Sequence, residues 1–389
     1  MNKEQQMKTL DRVVRGFCRL KNLDEVGVGN GFAINFEEWE WEIGVGLYGF
    51  WRFAEHQQDA VLQQSILAWY ETQIARGLPG IQINTTAPMI ALALVAGHHQ
   101  RQDLLETVSD WADALLRDLP KTEEGGFQHV VKEQPNTGQL WDDTLFMTCL
   151  FLGVAGIVLK RRDLIDEASY QFLLHTRYLS DPVSGLWYHG WTFVDKHHFA
   201  GAFWARGNAW ITVAIPEFIA LMGEHLDASV RRYLSQVVSR QVRSLCELQA
   251  ENGMWHTVLD DPLSPQESSA TAGIAWGMLR GIRMGMLDAS VSAHALRAFD
   301  AVMARIDDEG IVLEASRGTM LGWDIQYYCD IAMAPVPYAQ ALTILLLLEY
   351  EQGGWLSADQ RQDLGQLREQ EQNQPDGAAH QGAVDADKL

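Results

Sequence analysis

Basic side chains are scarce in this sequence: 30 Lys and Arg face 51 Asp and Glu, a formal charge of −21 at neutral pH. The shortage excludes the cationic stripe that a nucleic acid or an anionic membrane requires. A small anionic ligand stays possible, because one arginine in a closed pocket can bind a carboxylate whatever the overall field. Cysteine is equally sparse. Cys18, Cys149, Cys246 and Cys329 lie far apart without CxxC spacing, and they read as free thiols of a reducing compartment. Long apolar runs are missing too; the segment Ile344 to Leu348 is far too short to span a bilayer. The polar opening MNKEQQMKTLDRVVRG has no signal-peptide core, so the expected location is cytoplasmic. Walker, GxSxG and HExxH motifs are absent and no GxGxxG follows a strand, which removes the nucleotide and serine-hydrolase readings and gives a metal no support. No cofactor is expected.

What is present is helix. Leu104, Leu105, Val108, Trp111, Ala112, Leu115 and Leu116 form one stripe at three- and four-residue spacing. Similar periodicity predicts about twelve helices, near 6–23, 38–57, 60–77, 85–98, 101–119, 140–161, 163–178, 204–224, 226–249, 268–286, 291–306 and 331–351. Short polar links, as at His56–Asp59 and Gly97–Arg101, alternate with longer connections carrying a glycine followed by aromatic residues. Gly125-Gly126-Phe127-Gln128-His129 lines up with Gly185-Leu186-Trp187-Tyr188-His189; Gly253-Met254-Trp255-His256 and Gly310-Ile311-Val312 follow, and Gly31-Phe32 and Gly80-Ile81 read as degenerate first copies. Helical hairpins repeated roughly six times predict either an open solenoid or a closed ring. The aromatic-rich loops favour the ring, an all-α (α/α)6 barrel. With no linker before residue 353, residues 1–352 read as one catalytic domain, and 353–389 as a polar, partly disordered tail.

In such a ring the long loops line a central cleft, and unusual residues gather there. Trp39 and Trp41 open one helix; Trp141, Asp142 and Asp143 open another; Trp187, Tyr188, His189 and Trp191 share a loop; Trp204, Arg206 and Asn208 begin a further helix. Flat indoles suit the apolar faces of sugars. Adjacent residues on a helix point about 100° apart, so at most one of Asp142 and Asp143 can face the cleft squarely. Arg206, between a tryptophan and an asparagine, has the planar fork of a carboxylate clamp. His129 and His189 recur at equivalent repeat positions and suit hydrogen bonding to a ligand better than metal binding.

Five motifs in order carry a resemblance: NTTAPM (Asn84–Met89), WDDTLFM (Trp141–Met147), GLWYHGW (Gly185–Trp191), WARGN (Trp204–Asn208) and GMWHTVLDDP (Gly253–Pro262). Together they resemble glycoside hydrolase family 105, the unsaturated rhamnogalacturonyl hydrolases, related to the unsaturated glucuronyl hydrolases of family 88. The resemblance implies the (α/α)6 barrel and a metal-free hydration of a 4,5-unsaturated uronic acid at the end of an oligosaccharide, by a monomer or homodimer. It implies Asp143 as the catalytic acid and then base, held protonated by partial burial. It places His189, Trp204 and Arg206 near the unsaturated sugar and its carboxylate, and Trp41, Asn84, Thr86, His129, Trp191 and Asn208 are the further expected substrate contacts. The chain departs from the family pattern twice. It has no acid in Asn84-Thr85-Thr86, and the segment Gly318–Gln340 offers Trp323, Asp324, Tyr327 and Tyr328 in place of a glycine-rich pattern. Three other readings stay open: an inverting glycosidase using Asp324, Asp260 or Glu267 as a second acid, a sugar 2-epimerase using His189 and His256, and a non-catalytic scaffold.

Overall fold

Two kinds of helix alternate along the chain, and burial separates them. A computed structural model describes residues 3–20, 37–132 and 134–355. The repeat copy at Gly31-Phe32 and the tail beyond 355 lie outside the described residues. Outer helices α1 (Lys3–Arg19), α3 (Ala60–Arg76), α5 (Gln102–Asp118), α7 (Arg162–Leu179), α9 (Ala228–Leu248) and α11 (Ser292–Met303) alternate with inner ones. The inner helices are α2 (Trp41–His56), α4 (Ile83–His98), α6 (Leu150–Val158), α8 (Ala205–Met222), α10 (Ser268–Arg283) and α13 (Pro337–Gln352). Outer helices bury one stripe, as on α5, where Leu104, Val108, Trp111, Ala112 and Leu115 are inside. Inner helices are buried nearly all round, as α4 is from Thr85 to Ala96, because they meet neighbours on every side.

The ring closes. Each inner helix packs on the next, from α2 through α4, α6, α8 and α10 to α13, and α13 returns to α2. Glycines permit the tight circle: a Cβ on Gly44 would stand 2.4 Å from the Pro88 backbone nitrogen, and one on Gly277 would stand 2.2 Å from the Thr212 carbonyl oxygen. The observed architecture is the expected (α/α)6 barrel, with short links such as 57–59 and 99–101 at one end and long loops at the other.

Two predicted boundaries change. The expected helix 140–161 begins as strand β1 (Gln139–Trp141), which pairs antiparallel with β2 (Gly190–Thr192). Helix follows only after a wide turn, Leu145–Cys149, where the Leu150 N–H reaches back to Leu145 O; such i→i+5 turns cluster at functional sites. The expected helix 331–351 begins at Pro337, and a short α12 (Ile325–Cys329) occupies the preceding loop. Strand pairing and the proline at the first helical turn override the apolar periodicity there.

All six inner helices run the same way, so their N-termini converge at the long-loop end and supply a positive field there despite the net charge. Their C-terminal ends meet a buried charge network. Glu217 accepts from the Tyr48 hydroxyl and pairs with Arg280 at 3.0 Å and Arg52 at 3.8 Å. Arg280 and Arg283 also pair with buried Glu349. Removing one partner of a buried pair leaves the other uncompensated. Glu217→Ala should therefore lower stability by roughly 3 kcal/mol, the low end for such pairs because Glu349 remains beside Arg280; urea denaturation would measure it.

Candidate active site

The β1–β2 pairing builds the centre of the site. Its register sets Trp141 opposite Gly190, and the Asp142 N–H donates to His189 O at 3.0 Å. The residues just past the paired positions, Asp143 and His189, are thereby brought face to face from separate repeats. His189 Nε2 lies 3.3 Å from Asp143 Oδ2, a loose contact of the kind catalytic groups make before a substrate arrives. Behind His189, its Nδ1 lies 2.8 Å from the Tyr328 hydroxyl. His129 stacks on Trp141 at 4.1 Å and meets the Thr144 hydroxyl through Nδ1 at 2.9 Å. Trp204 covers the other side of His189 at 4.3 Å.

The two aspartates divide by environment. Asp142 is wholly buried, and neither of its oxygens has a conventional hydrogen-bond donor. It rests on the first turn of α8, where a Cβ on Gly207 would come within 2.1 Å of Oδ2. Burial, reinforced by the neighbouring Asp143, pushes the Asp142 carboxyl well above the carboxylate range. Burial also opposes ionisation of Asp143, but the His189 bond outweighs it and holds the group below that range. Protonation of the pair is therefore favoured on Asp142 and ionisation on Asp143, so burial by itself does not keep Asp143 protonated; the two carboxyls titrate together. Asp142, Asp143 and His189 bring one atom each within 4.8 Å of one another, a grouping compact enough to share a proton or to hold a cation.

Asp143 opens into a narrow cavity of about 30 Å³, room for about one water. Trp41, Asn84, His129, Trp204 and Arg206 also line it, and Gly318, Thr319 and Met320 roof it. Trp41 stacks on Tyr338 at 4.8 Å. Val131 is common to this cavity and to an open groove of about 580 Å³ bordered by Trp39, Gln73, Gly80, Gln82 and Lys132.

Arg206 lines the cavity but is already engaged. Its Nη1 donates to Ser316 O at 2.7 Å; its Nη2 donates to Arg317 O at 2.8 Å and to the Thr319 hydroxyl at 2.7 Å. In this structure the expected carboxylate clamp is the anchor of the roof. Its guanidinium also lies 4.5 Å from the Trp204 ring, which with the carbonyls offsets the cost of a cation at a helix N-terminus.

Three expected ligand contacts sit elsewhere. Asn208 is fully internal: its amide accepts from Trp187 N–H and donates to Trp187 O and Trp204 O, pinning loop to helix. Thr86 is buried, donating to Gln82 O at 2.7 Å in the first turn of α4. Trp191 points to the far side of β2, against His198 at 4.7 Å and Tyr178 at 5.6 Å. The residues of the rival readings are also placed outside the cavity. Glu267 caps α10, Asp324 caps α12, Asp260 is exposed on a loop, and His256 Nδ1 is bonded to Ser264 O. Sequence reasoning left Asp142 without a role and Tyr328 without a partner. The glycine of WARGN was the available signal for the first; the second depends on a contact across 139 residues.

Burial lowers His129 to about 3 and His175 to about 4. Both stay neutral when folded but bind protons below about 6.5 when unfolded. The unfolded chain therefore binds more protons between these limits, and stability is full above about pH 6.5 and lost as pH falls toward 4. His129→Gln should flatten that acid slope in urea titrations run at successive pH values.

A family model for glycosyl hydrolase family 88 matches residues 19–353. Unsaturated rhamnogalacturonyl hydrolase YesR of Bacillus subtilis is 30% identical over 329 residues, covering 82% of this chain and 91% of that protein. A solved Salmonella enterica structure, called a possible member of the GH105 family, is 37% identical with a TM-score of 0.86, covering 90% of this chain and 95% of the other. The unsaturated glucuronyl hydrolase of Bacillus sp. GL1 shares the fold at 18% identity, with a TM-score of 0.65 over 90% of this chain and 97% of its own. The family match takes in every inner helix and every residue of the cavity, and the chain is therefore a hydrolase belonging to glycosyl hydrolase family 88.

Proposed function

We propose that this hydrolase hydrates the C4=C5 double bond of a 4,5-unsaturated uronic acid at the end of a lyase-derived oligosaccharide of the pectin type, freeing that terminal unit, now a 5-keto acid, from the remaining sugar. One observation carries the reading: among the described residues, Asp143 is the only carboxyl lining the cavity. Ordinary glycoside hydrolysis needs two carboxyl groups flanking the bond. Hydration of an enol ether needs one.

The π electrons of C4=C5 take a proton through Asp143, leaving an oxocarbenium-like C5 conjugated with the ring oxygen. Asp143, now a carboxylate, removes a proton from the water that attacks C5. The product is a hemiketal; its C5–O bond breaks, C5 becomes a ketone, and the exposed hemiacetal at C1 releases the remaining sugar. Asp142 supplies the pair's proton, so the acid is available at neutral pH although His189 favours the Asp143 carboxylate. The converging helix N-termini and Arg206 suit the uronate carboxylate. A sugar ring exceeds the free volume beside Asp143, so the Gly318–Met320 roof lifts on binding and the carboxylate takes the place of Thr319 on Arg206. Trp41 stacks on the ring, and the groove across Val131 takes the rest of the oligosaccharide. The relative's printed name, an unsaturated rhamnogalacturonyl hydrolase, favours a galacturonyl unit.

Mixing the protein with an unsaturated uronate disaccharide should abolish the ultraviolet band of the conjugated double bond. Asp143→Asn should slow that loss by about 10²–10⁴-fold, the range for a general acid–base group. An unchanged spectrum across a panel of such disaccharides would overturn the assignment. Asp142→Asn keeps the volume but removes the shared proton. A lone Asp143, held ionised by His189, then needs more acid to be protonated, and the alkaline limb of kcat/KM should move to lower pH. A pH profile unmoved by this change would remove Asp142 from the proton store.

A further inference from the structure

Tyr328 belongs to none of the motifs that carry the resemblance, yet it is the residue on which His189 rests. Its side chain is 1% exposed, on short helix α12, beyond the roof in sequence. The hydroxyl has two partners, at opposite sides. The Gly322 N–H donates to it at 3.0 Å, and His189 Nδ1 lies 2.8 Å away. A backbone amide can only donate, so the hydroxyl oxygen is the acceptor of that bond. Its own hydrogen then has one neighbour to go to, Nδ1 of His189.

We infer that Tyr328 is a positioning residue that sets the tautomer of His189. By donating to Nδ1 it makes that nitrogen the acceptor, and the ring proton resides on Nε2, the nitrogen 3.3 Å from Asp143 Oδ2. The opposite tautomer would turn the Nε2 lone pair toward a carboxylate oxygen and give the buried Tyr328 hydroxyl two donors and no acceptor. Both faults disappear in the arrangement inferred. The ring has no freedom to escape the choice, since Trp204 covers one side at 4.3 Å and Trp141 meets it edge-on at 5.3 Å. The titratable groups around it are Asp143, Asp142, His129 and Tyr328, and burial raises Tyr328 far above its usual range, so its proton stays in place. The Gly322 bond also ties the tautomer to the loop that carries the roof, because Gly322 lies two residues past Met320.

The inference deepens the proposed hydration and rests on it only for its kinetic consequence. Nitrogen NMR on the whole protein labelled with ¹⁵N-histidine tests the tautomer without any substrate, the His189 signals being identified by their loss in His189→Gln. The expected spectrum has a protonated Nε2 and an unprotonated Nδ1 at neutral pH. In Tyr328→Phe those two signals should move toward the average of both tautomers. On an unsaturated uronate disaccharide, kcat should fall about 10–100-fold, as when a histidine loses its orienting partner, with KM little changed. An Nδ1–H or doubly protonated His189 in the unaltered protein overturns the inference, and so does a Tyr328→Phe protein whose His189 spectrum is unchanged. If Tyr328→Phe does not fold, the spectrum of the unaltered protein still decides. Failure to turn over any unsaturated substrate would refute the hydration reading, while the NMR outcome would independently uphold or overturn the tautomer.

Discussion

Closure of the inner ring is the constraint on which everything else depends. The last inner helix lies between α10 and α2, which joins the two ends of the described chain and leaves the six helix N-termini no place to point but inward at one end. Backbone-to-backbone approach at Gly44 and Gly277 makes the circle narrow. A narrow circle has two ends of opposite polarity, and the chain treats them differently. Arginines meet buried glutamates where the helix C-termini gather; aromatic rings, histidines and two aspartates meet where the N-termini gather. A strongly acidic protein thereby gathers six helix N-termini and Arg206 at one end, an arrangement that favours a bound carboxylate whatever the net charge.

Within that end, Asp142 and Asp143 show how much one residue of displacement changes a carboxyl group. Both follow β1 and both precede the wide turn into α6. One is sealed against Gly207; the other reaches the cavity and His189. Low polarity penalises charge on both, and the histidine relieves that penalty for only one. On the proposed hydration, a pair that holds a single proton suits a reaction that first gives a proton and then takes one back, with no second acid across the cleft.

The long loop between α11 and α13 is the least conventional part of the molecule and the most connected part of the site. Through Ser316, Arg317 and Thr319 it occupies Arg206; through Gly322 and Tyr328 it reaches His189. Cavity roof, Arg206 and His189 are therefore joined through one loop.

Much of this was legible in the residues alone. The 3.6-residue apolar periodicity and the alternation of link lengths determine a ring of hairpins, because a two-sided inner helix and a one-sided outer helix have different patterns. The ordered motifs point to the loops around the cavity, and they single out Asp143, Trp204 and Arg206, which line it, and His189, which lies against Asp143. Tertiary structure alone decided the rest. Asn208 and Thr86 stand in the same motifs and the same helix turns as cavity residues, yet their polar atoms are consumed by backbone partners; spacing along a helix does not reveal which direction is already satisfied. Trp191 packs against Tyr178 and His198 from a strand pairing that no helical reading could supply. Burial favours protonation on Asp142 rather than Asp143, and Tyr328 came to lie against His189, because these surroundings are assembled from other repeats, in the second case 139 positions away. A sequence records which groups are present. Their charge and tautomer belong to the surroundings that folding creates.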